Sequence, residues 1–379
     1  MRKVVAILLI FGLFVAGFAQ TAKYSNAFLS LGVGARGLSM SNSMVAISDD
    51  VTAAYWNPAG LGRMQQKLQL AAMHAEYFAG ISKYDYAAAA YKIDSSFTVA
   101  FSYIRFGVDN IMNTTELIDN YGNIDYDRIS YFSAADNAFL LSFAYNFKQV
   151  KGLSVGGNAK IIRRRIGDFA GAWGFGLDFG IQYERKGWQV GAMLQDGTGT
   201  FNAWSYTLTD RVKEVFLQTG NEIPENSLEV TVPQLILGGA KYVELGKGFN
   251  ATFALNTDFT FDGRRDNILS TKYFTFNPHF GMEFAYKKIV ALRAGIGNFQ
   301  KETDFDNKTK VTCQINLGVG INIKDWPTGS SRRTCSAPPP GSPPTWTSTS
   351  RCRGFWPKTP PRWRFWRAER WSGRSTSAT

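Results

Sequence analysis

Apolar and polar residues alternate with a period of two in several long stretches of the chain. One stretch runs from Trp173 to Tyr183, where Gly, Asp and Gln separate the large apolar residues, and others cover 97–103, 139–147, 249–261 and 311–323. This period predicts β-strands with one apolar and one polar face. Strands of soluble proteins average about five or six residues, whereas strands that cross a membrane need about nine to eleven. The long stretches therefore predict membrane-spanning strands.

Such strands have to close into a barrel, because lipid offers no hydrogen-bond partners to an unpaired backbone. We predict an all-β fold, a transmembrane antiparallel β-barrel over residues 66–326 with about 14 strands, apolar side chains outward and polar ones in the lumen. Thirteen candidate strands begin near residues 36, 66, 81, 95, 137, 153, 172, 187, 233, 249, 273, 289 and 310. The long connections, 107–136, 196–232, 262–273 and 300–309, all fall at one end, as extracellular loops of such barrels do.

Residues 1–19 are predicted to form a cleavable signal peptide. Arg2 and Lys3 precede an apolar run from Val4 to Val15, and Gly17-Phe18-Ala19 offers small residues for cleavage. The run is too short to cross a membrane as a helix. We therefore expect an exported protein that lies in the outer membrane of a Gram-negative bacterium, in contact with outer-membrane lipid.

The positive charge of the chain is concentrated near its end. The net charge is +12, yet residues 327–379 alone hold nine Arg, one Lys and one Glu, together with nine of the 13 Pro. Proline removes the donors that a central strand needs, so no strand is predicted there. Three interpretations stay open, a basic nucleic-acid arm, a disordered tail or an out-of-frame translation. Because an exported protein does not meet nucleic acid, no nucleic-acid partner is predicted.

The number of strands favours the out-of-frame interpretation. Single-chain bacterial barrels have an even number of strands, whereas thirteen candidates are visible here. The change in composition comes directly after Trp326, where a turn into a further strand would begin. We therefore expect that one closing strand has been lost from the sequence after Trp326.

Residues 20–65 are predicted to hold the first strand and a short helix that ends in an Asn-Pro-Ala-Gly turn. Ser48 or Asp49 can cap this helix, Asp50 favours its positive end, and Asn57-Pro58 ends it. The segment either enters the barrel as a short lumenal plug or forms an ordinary periplasmic turn. The residues of this candidate plug or turn motif are Asp49, Asp50, Tyr55, Trp56, Asn57, Pro58 and Gly60.

Two runs in this segment resemble the opening of the PorV/PorQ family, a branch of the FadL-like outer-membrane barrels. They are Gly32-Val33-Gly34-Ala35-Arg36 with Met40, and Asp49-Asp50 followed by Tyr55-Trp56-Asn57-Pro58-Ala59-Gly60-Leu61. The resemblance implies a fourteen-stranded barrel of the type IX secretion system, which binds secreted cargo proteins and hands them over. Cargo proteins or translocon subunits would then be its partners. The alternative is a FadL-type channel for hydrophobic small molecules, although the predicted inward faces are mainly polar.

No enzymatic activity, metal site or cofactor is predicted. The chain has two histidines, His74 and His279, and Cys313 is the one cysteine before the tail. His279 and Glu283 lie on the same strand face, and they either form a lumenal acid–base pair or belong to a solvated or hydrogen-bonded lumenal network. Five other charged residues are predicted to face the lumen and to neutralise one another: Lys160, Arg164, Asp178, Asp258 and Arg293.

Two aromatic runs lie in the predicted long loops. Phe201, Trp204 and Tyr206 form the candidate partner-binding loop, and Ser130-Tyr131-Phe132-Ser133 forms the second run. Aromatic residues at an exposed rim are candidates for an interface. An aromatic girdle at the membrane boundary explains them equally well.

Overall fold

The computed structural model describes residues 25–118, 122–263, 265, 267, 269–271, 273–287, 289–303 and 309–322. The expected signal peptide, the tail and the closing strand after Trp326 lie outside the described residues. Short helices come first, namely the 3-10 helices Ala27–Ser30 and Pro58–Arg63 and the α-helices α1 (Ala35–Ser39) and α2 (Ala53–Trp56). A third α-helix, α3 (Asp210–Gln218), and the 3-10 helix Tyr126–Arg128 lie in long connections.

One antiparallel sheet holds all fifteen strands that the described residues form. Their bounds are β1 Leu68–Tyr77, β2 Ser82–Lys92, β3 Phe97–Asn113, β4 Ser130–Asn146, β5 Leu153–Ile166, β6 Ala170–Arg185, β7 Trp188–Gln195, β8 Thr200–Tyr206, β9 Ser227–Thr231, β10 Gln234–Gly246, β11 Phe249–Thr260, β12 Leu269–Ser270, β13 Thr275–Tyr286, β14 Val290–Thr303 and β15 Thr309–Ile321. The antiparallel all-β prediction is confirmed. Most predicted strand starts agree to within two residues, but β4 begins seven residues earlier than expected.

The order of the sheet follows the chain. The path β1-β2-β3-β4-β5-β6-β7-β10-β11-β13-β14-β15 joins neighbours by antiparallel ladders. Strand β6 is longer than β7, so its other half pairs with β8, which in turn pairs with β9. Toward the end of the sheet beyond β7 and β10, the short strands β8 and β9 thus take the places of these two strands.

The long connections lie at one end of the sheet, as predicted. Residues 114–129, 207–226 and 261–274, the last of which contains the two-residue strand β12, connect strands there, whereas 147–152, 186–187 and 247–248 are short connections at the opposite end. Two aromatic runs are nevertheless strands and not loops. Ser130–Ser133 begins β4, and Phe201–Tyr206 lies in β8, because both runs find ladder partners on neighbouring strands.

Side chains separate by face as the alternation predicts. Outward positions carry exposed apolar residues such as Phe101, Leu141 and Leu317. Inward positions carry buried polar residues such as Ser102 and Asn158. This is the arrangement of a membrane-spanning barrel, whose lipid-facing and lumen-facing residues alternate. Among the described residues, no helix combines the length and apolarity that a membrane crossing requires.

The first predicted strand is wrong. Residues near 36 form the helix α1, and the described residues before Leu68 contain no strand. Gly32 and Gly34 have positive φ angles of 94° and 75°, which turn the backbone away from an extended path. Without this strand, the path through the sheet has twelve members, so the count of thirteen gives no reason for a single missing strand.

Residues 25–67, which we call the lumenal segment, lie inside the curved sheet. The backbone amide of Gly34 contacts the sulfur of Met73 on β1 at 3.1 Å, and α1 packs on β14 and β15. Both edge strands therefore touch the same segment. Within the described residues no ladder joins β1 to β15, and we call this boundary the seam.

Candidate functional site

Asn57 fastens the lumenal segment to the barrel wall. Its side-chain nitrogen donates to the carbonyl oxygens of Val45 at 2.9 Å and Ile181 at 3.1 Å. Its side-chain oxygen accepts from the amide of Ala59 at 3.2 Å, which caps the 3-10 helix that begins at Pro58. One amide group thus starts a helix and ties it to β6.

The turn before α2 is held by Asp50. Its carboxylate accepts from the backbone amide of Thr52 at 2.8 Å and from the Thr52 hydroxyl at 2.5 Å. The predicted caps have other partners, because Ser48 accepts from Gln182 on β6 at 3.0 Å and Asp49 pairs with Arg36 at 3.2 Å. Of the two neighbouring acidic residues, Asp50 therefore stabilises the turn and Asp49 forms a salt bridge.

Tyr55 and Trp56 clamp the glycine-containing turn that precedes α1. The Tyr55 hydroxyl accepts from the amide of Gly32 at 3.0 Å and donates to the carbonyl of Leu29. The Trp56 indole donates to the carbonyl of Val33 at 3.1 Å. Burial raises the pKa of Tyr55 above its usual range, so this hydroxyl keeps its proton.

Several wall glycines give the lumenal segment its space. A Cβ on Gly156 of β5 would lie 2.5 Å from the carbonyl carbon of Pro58, and one on Gly191 of β7 would overlap the carbonyl oxygen of Val45. Within the motif, a Cβ on Gly60 would likewise overlap the carbonyl oxygen of Ser48. The segment and the wall are therefore in direct backbone contact.

One ionic cluster links the lumenal segment to β13 and β14. The Arg36 guanidinium contacts Glu283 at 3.1 Å and Asp49 at 3.2 Å, and Arg293 contacts the same Glu283 at 2.6 Å. Burial alone would lower the pKa of Arg36, but Glu283 and Asp49 raise it above its usual value. Burial also raises the pKa of Asp49 to about 6, against the opposite effect of Arg36.

A second ionic cluster lies in the wall between β5, β6 and the end of β7. The ammonium group of Lys160 contacts Asp178 at 2.8 Å and Asp196 at 2.6 Å, and all three side chains are buried. The prediction that lumenal charges neutralise one another holds for Lys160 with Asp178. Asp196 was missed because it follows the last residue of β7 and so lies outside the alternating pattern.

The remaining predicted lumenal charges find other partners than expected. His279 contacts Asp258 at 3.1 Å, while Glu283 contacts the two arginines, so the two residues do not pair with each other and each belongs to a hydrogen-bonded lumenal network. Arg164 contacts Asp136 at 2.9 Å. Cross-strand register decides these pairs, because a neighbour on the next strand lies closer than the second residue along the same face.

The part of the lumen wall formed by β1 to β4 is mainly apolar. Apolar side chains on the inner faces of β1 to β4 join one core with the lumenal segment: Ala71, Met73, Ala75, Tyr77, Tyr84, Tyr86, Ala88, Ala90, Ala100, Ile104, Phe106, Ala138, Leu140 and Ala144. The lumenal segment meets them with side chains such as Val33, Met44 and Leu61, which are fully buried. The lumen thus has an ionic side and an apolar side.

The candidate partner-binding residues are divided between the two faces of β8. Phe201 points outward and is 44% exposed, whereas the Trp204 indole donates to Glu229 on β9 at 2.7 Å. Tyr206 stacks on Trp204 with ring centroids 6.2 Å apart. The three aromatic residues therefore do not form one exposed surface.

The sequence predictions name Arg36 only as part of the N-terminal motif and give it no role in a site. It is the one charged residue between Phe28 and Ser48. A single charge in such an uncharged stretch needs a buried partner, and this signal could have marked it. Within the part of the chain that the structure describes, no three His, Cys, Asp or Glu side chains are placed to hold a metal ion.

The long strands, the apolar outer band and the polar interior define a membrane-spanning β-barrel with an occupied lumen. No protein-family model and no curated protein matches the chain. Among solved structures, it is similar to the CymD monoaromatic hydrocarbon channel, with 13% identity over 78% of this chain and 90% of that one and a TM-score of 0.48.

Two other solved barrels match a similar share of this chain with lower TM-scores. The Ralstonia pickettii toluene transporter TbuX has 13% identity over 77% of this chain and 90% of its own, with a TM-score of 0.44. Outer membrane phospholipase A from Escherichia coli has 11% identity over 76% and 98%, with a TM-score of 0.30. At such identities and TM-scores, these similarities assign neither a substrate nor an activity to this chain.

Proposed function

We propose that this protein is an outer-membrane channel for apolar small molecules, with the lumenal segment as its plug. The observation that carries the proposal is the division of the lumen into two sides. Inward-facing Ala, Tyr, Ile and Leu residues of β1 to β4 offer an apolar solute a mainly apolar wall, which is interrupted by buried hydroxyl groups such as those of Ser102 and Ser142. The polar inward faces that argue against such a channel lie mostly on the other side.

On the apolar side the plug also has directional contacts, because the amide of Val51 donates to Gln69 on β1 at 2.8 Å and Lys92 on β2 donates to the carbonyl of Met64 at 3.0 Å, but most of the contact there is apolar. On the ionic side, Arg36 and Asn57 of the plug are fixed through hydrogen bonds to Glu283 and to the carbonyl of Ile181 in the wall, and such bonds tolerate little displacement. On the apolar side, dispersion and burial act without strict geometry. A solute that enters along β1 to β4 can replace apolar contacts by equivalent ones, so the passage opens there.

The passage is closed in this structure. Val33, Met44 and Leu61 of the plug and Tyr84 and Ile104 of the wall have no exposed surface. A molecule can pass only after the plug or the wall moves. Conduction is therefore coupled to a displacement of the lumenal segment, and a covalent bond between plug and wall must block it.

The test uses a reversible disulfide between Gly62 and Asn146. A Cβ on Gly62 would lie 3.6 Å from the Cβ of Asn146, within the range that a disulfide requires. The variant Gly62→Cys/Asn146→Cys is made with the three native cysteines replaced by serine. It is produced in a Gram-negative host without its own hydrophobic uptake channels, and uptake of radiolabelled oleate and naphthalene is measured.

We expect oxidised double-cysteine cells to take up neither probe faster than cells with empty vector, and a reductant to restore uptake. The two single-cysteine variants serve as matched controls and should be insensitive to oxidation. Uptake at the empty-vector level for the unmodified protein contradicts the channel. Uptake that persists in the oxidised variant contradicts the movement of the plug.

A second candidate function, binding of secreted cargo proteins in type IX secretion, is favoured by the long-loop end. Tyr126, Tyr131 and Tyr273 are 64% to 77% exposed there, and exposed aromatic residues are common in interfaces. Co-purification from mild detergent, with a Tyr→Ser triple variant as control, tests it. Secreted proteins that are retained by the native chain and lost from the variant would support this function over the channel.

A further inference from the structure

We propose that the outer surface of the barrel, at the rim of the long loops, carries a binding site for the phosphorylated sugar headgroup of an outer-leaflet glycolipid. A cavity of about 530 Å³ opens there on the lipid-facing side, between β5, β6 and β8. Its lining includes Arg163, Arg165, Asp168, Trp173 and Ser205. None of these side chains belongs to the lumen.

The two arginines supply the positive charge. Arg163 lies over the indole of Trp173, with 4.9 Å between its guanidinium carbon and the ring centroid, and donates to the carbonyl of Ala172 at 3.3 Å. Arg165 donates to the carbonyl of Gly167 at 2.9 Å and contacts Asp168 at 2.5 Å. Each guanidinium has five N–H donors in a fixed plane, so donors remain for a phosphate, which arginine binds in a bidentate manner.

Small residues keep the cavity open between these groups. Arg165 pairs with Gly171, and Gly171 pairs with Ser205, in the antiparallel ladders of the three strands. A Cβ on Gly171 would lie 2.9 Å from a guanidinium nitrogen of Arg163. The Ser205 hydroxyl and the carboxylate of Asp168 border the same space and match the hydroxyl groups of a sugar.

The cavity lies directly above the lipid-facing band. One step down the same face, Ile161, Phe175 and Phe201 form an apolar row, with Ile161 paired to Phe175 and Phe175 paired to Phe201. All three side chains are exposed. An amphiphile can therefore place its acyl chains on this row and its headgroup in the cavity, two residues or about 6.6 Å higher along the strands.

The size and chemistry of the cavity favour a sugar phosphate over a simple phospholipid headgroup. A phosphate alone needs only the arginines, whereas the volume, the hydroxyl-bearing border and the carboxylate suit several sugar hydroxyls. The position at the long-loop end places the site in the leaflet that faces outward. This site does not depend on conduction through the lumen.

The experiment measures binding of diphosphoryl lipid A, of its dephosphorylated form and of phosphatidylglycerol to the purified full chain in detergent, by native mass spectrometry. The test variant is Arg163→Gln/Arg165→Gln. The matched control is Lys241→Gln, because Lys241 lies over Trp188 at 4.6 Å in the same kind of cation–π contact on β10 and β7. Heat-modifiable migration on gels verifies that each variant is folded.

We expect the native chain and the Lys241→Gln variant to bind diphosphoryl lipid A at least about tenfold more tightly than the arginine variant, a loss equivalent to about 1.4 kcal/mol. Dephosphorylated lipid should bind as weakly to the native chain as the phosphorylated lipid binds to the arginine variant. Equal affinity of native and arginine variant overturns the site. Equal affinity for phosphatidylglycerol and lipid A overturns the sugar specificity.

A second variant leaves the charge unchanged. Gly171→Val places a branched side chain in the cavity, where the Arg163 guanidinium now lies, and it adds this bulk on the outer face and not in the lumen. We expect it to lower lipid A affinity about as much as the double arginine substitution. Undiminished binding by Gly171→Val would show that the lipid is held elsewhere and would overturn the proposed cavity.

Discussion

At the scale of single residues, buried charges define this lumen. Lys160 lies between Asp178 and Asp196 with almost no exposed surface. Removal of one member of such a group leaves the others charged, buried and unpaired, and this costs about 3 to 5 kcal/mol. We expect Lys160→Met to lower the free energy of unfolding by that order, as measured by tryptophan fluorescence in urea.

The matched control is Lys83→Met. Lys83 contacts Asp109 at 2.9 Å, but its side chain is 42% exposed, and such surface pairs contribute at most about 1 kcal/mol. A loss of similar size in both variants would show that Lys160 is not an essential counter-charge for the two aspartates.

Asp49 makes the stability of the folded chain depend on pH, and the direction of its pKa shift gives the sign of this dependence. Its pKa of about 6 in the folded chain is above its ordinary value of 3.8, so its contribution to stability is complete below about pH 4 and is lost as the pH rises through about 6. The charged groups that act on it are Arg36, Arg63, Asp50 and Glu283. We expect the Tm of Asp49→Asn, relative to the native chain, to rise between pH 4 and pH 7.

Asp94 serves as a control of opposite sign. Backbone amides of Ser96 and Phe97 hold the pKa of this exposed carboxylate below its ordinary value. Its contribution is therefore present at neutral pH and is lost as the pH falls. The relative Tm of Asp94→Asn should therefore change mainly below its ordinary pKa of 3.8, where it falls as the pH rises, and should stay nearly constant from pH 4 to pH 7. A rise of both variants between pH 4 and pH 7 would contradict the assignment for Asp49.

Alternation along single strands predicted which charges face the lumen but not which charges meet. Lys160, Asp178 and Arg293 all lie inside, as their spacing indicates. The partner of Arg36 is Glu283, which is 247 positions away, and no local pattern connects them. The choice between a His279–Glu283 pair and a wider lumenal network stayed open for the same reason, since it is the register of β11 and β13 that places Asp258 within reach of His279.

At the scale of elements, the lumenal segment and the wall fit each other through glycines. A Cβ on Gly191 would overlap the Val45 carbonyl oxygen, whereas a Cβ on Gly239 of β10 would have a nearest neighbour at 3.9 Å. Overpacking costs about 1 to 3 kcal/mol. We expect Gly191→Ala to displace the segment, which faster proteolysis near Val45 and a higher conductance in planar bilayers should report.

Gly239→Ala is the matched substitution on the neighbouring strand. It should leave both the proteolysis rate and the conductance at the values of the native chain. If Gly191→Ala behaves in the same way, then the close approach of Val45 to β7 does not hold the segment in place.

Among the elements, long strands were predictable and the short N-terminal pieces were not. A strand of the length of β6 or β11 shows its period several times, so its start is found to within two residues. The stretch around α1 is short and apolar, and such a run does not distinguish a strand from a helix. The positive φ angles of Gly32 and Gly34, which decide its path, leave no periodic signal.

At the scale of the whole molecule, the seam distinguishes β1 and β15 from the other strands. In the described part of the chain, β1 pairs only with β2 and β15 only with β14, whereas β5 pairs on both sides. Unpaired strand edges open at low free energy. We expect amide hydrogen exchange, followed by mass spectrometry, to be faster in β1 and β15 than in β5.

Equal protection of β1, β15 and β5 would contradict this expectation and would show that another strand covers the seam. The comparison can be made on one preparation in detergent, since peptides from all three strands are read in the same experiment. The contacts of Gly34 with Met73 on β1 and of α1 with β15 predict that protection, where present, is greatest next to those contacts.

The direct contacts between the lumenal segment and the wall also determine the order in which this molecule can be assembled. Pro58 lies against β5, Val45 against β7 and Met40 against β14, with backbone atoms in contact on all three strands. Once these strands are paired side by side, little room is left between them and the segment. We therefore expect the N-terminal region to be in position before the sheet curves around it.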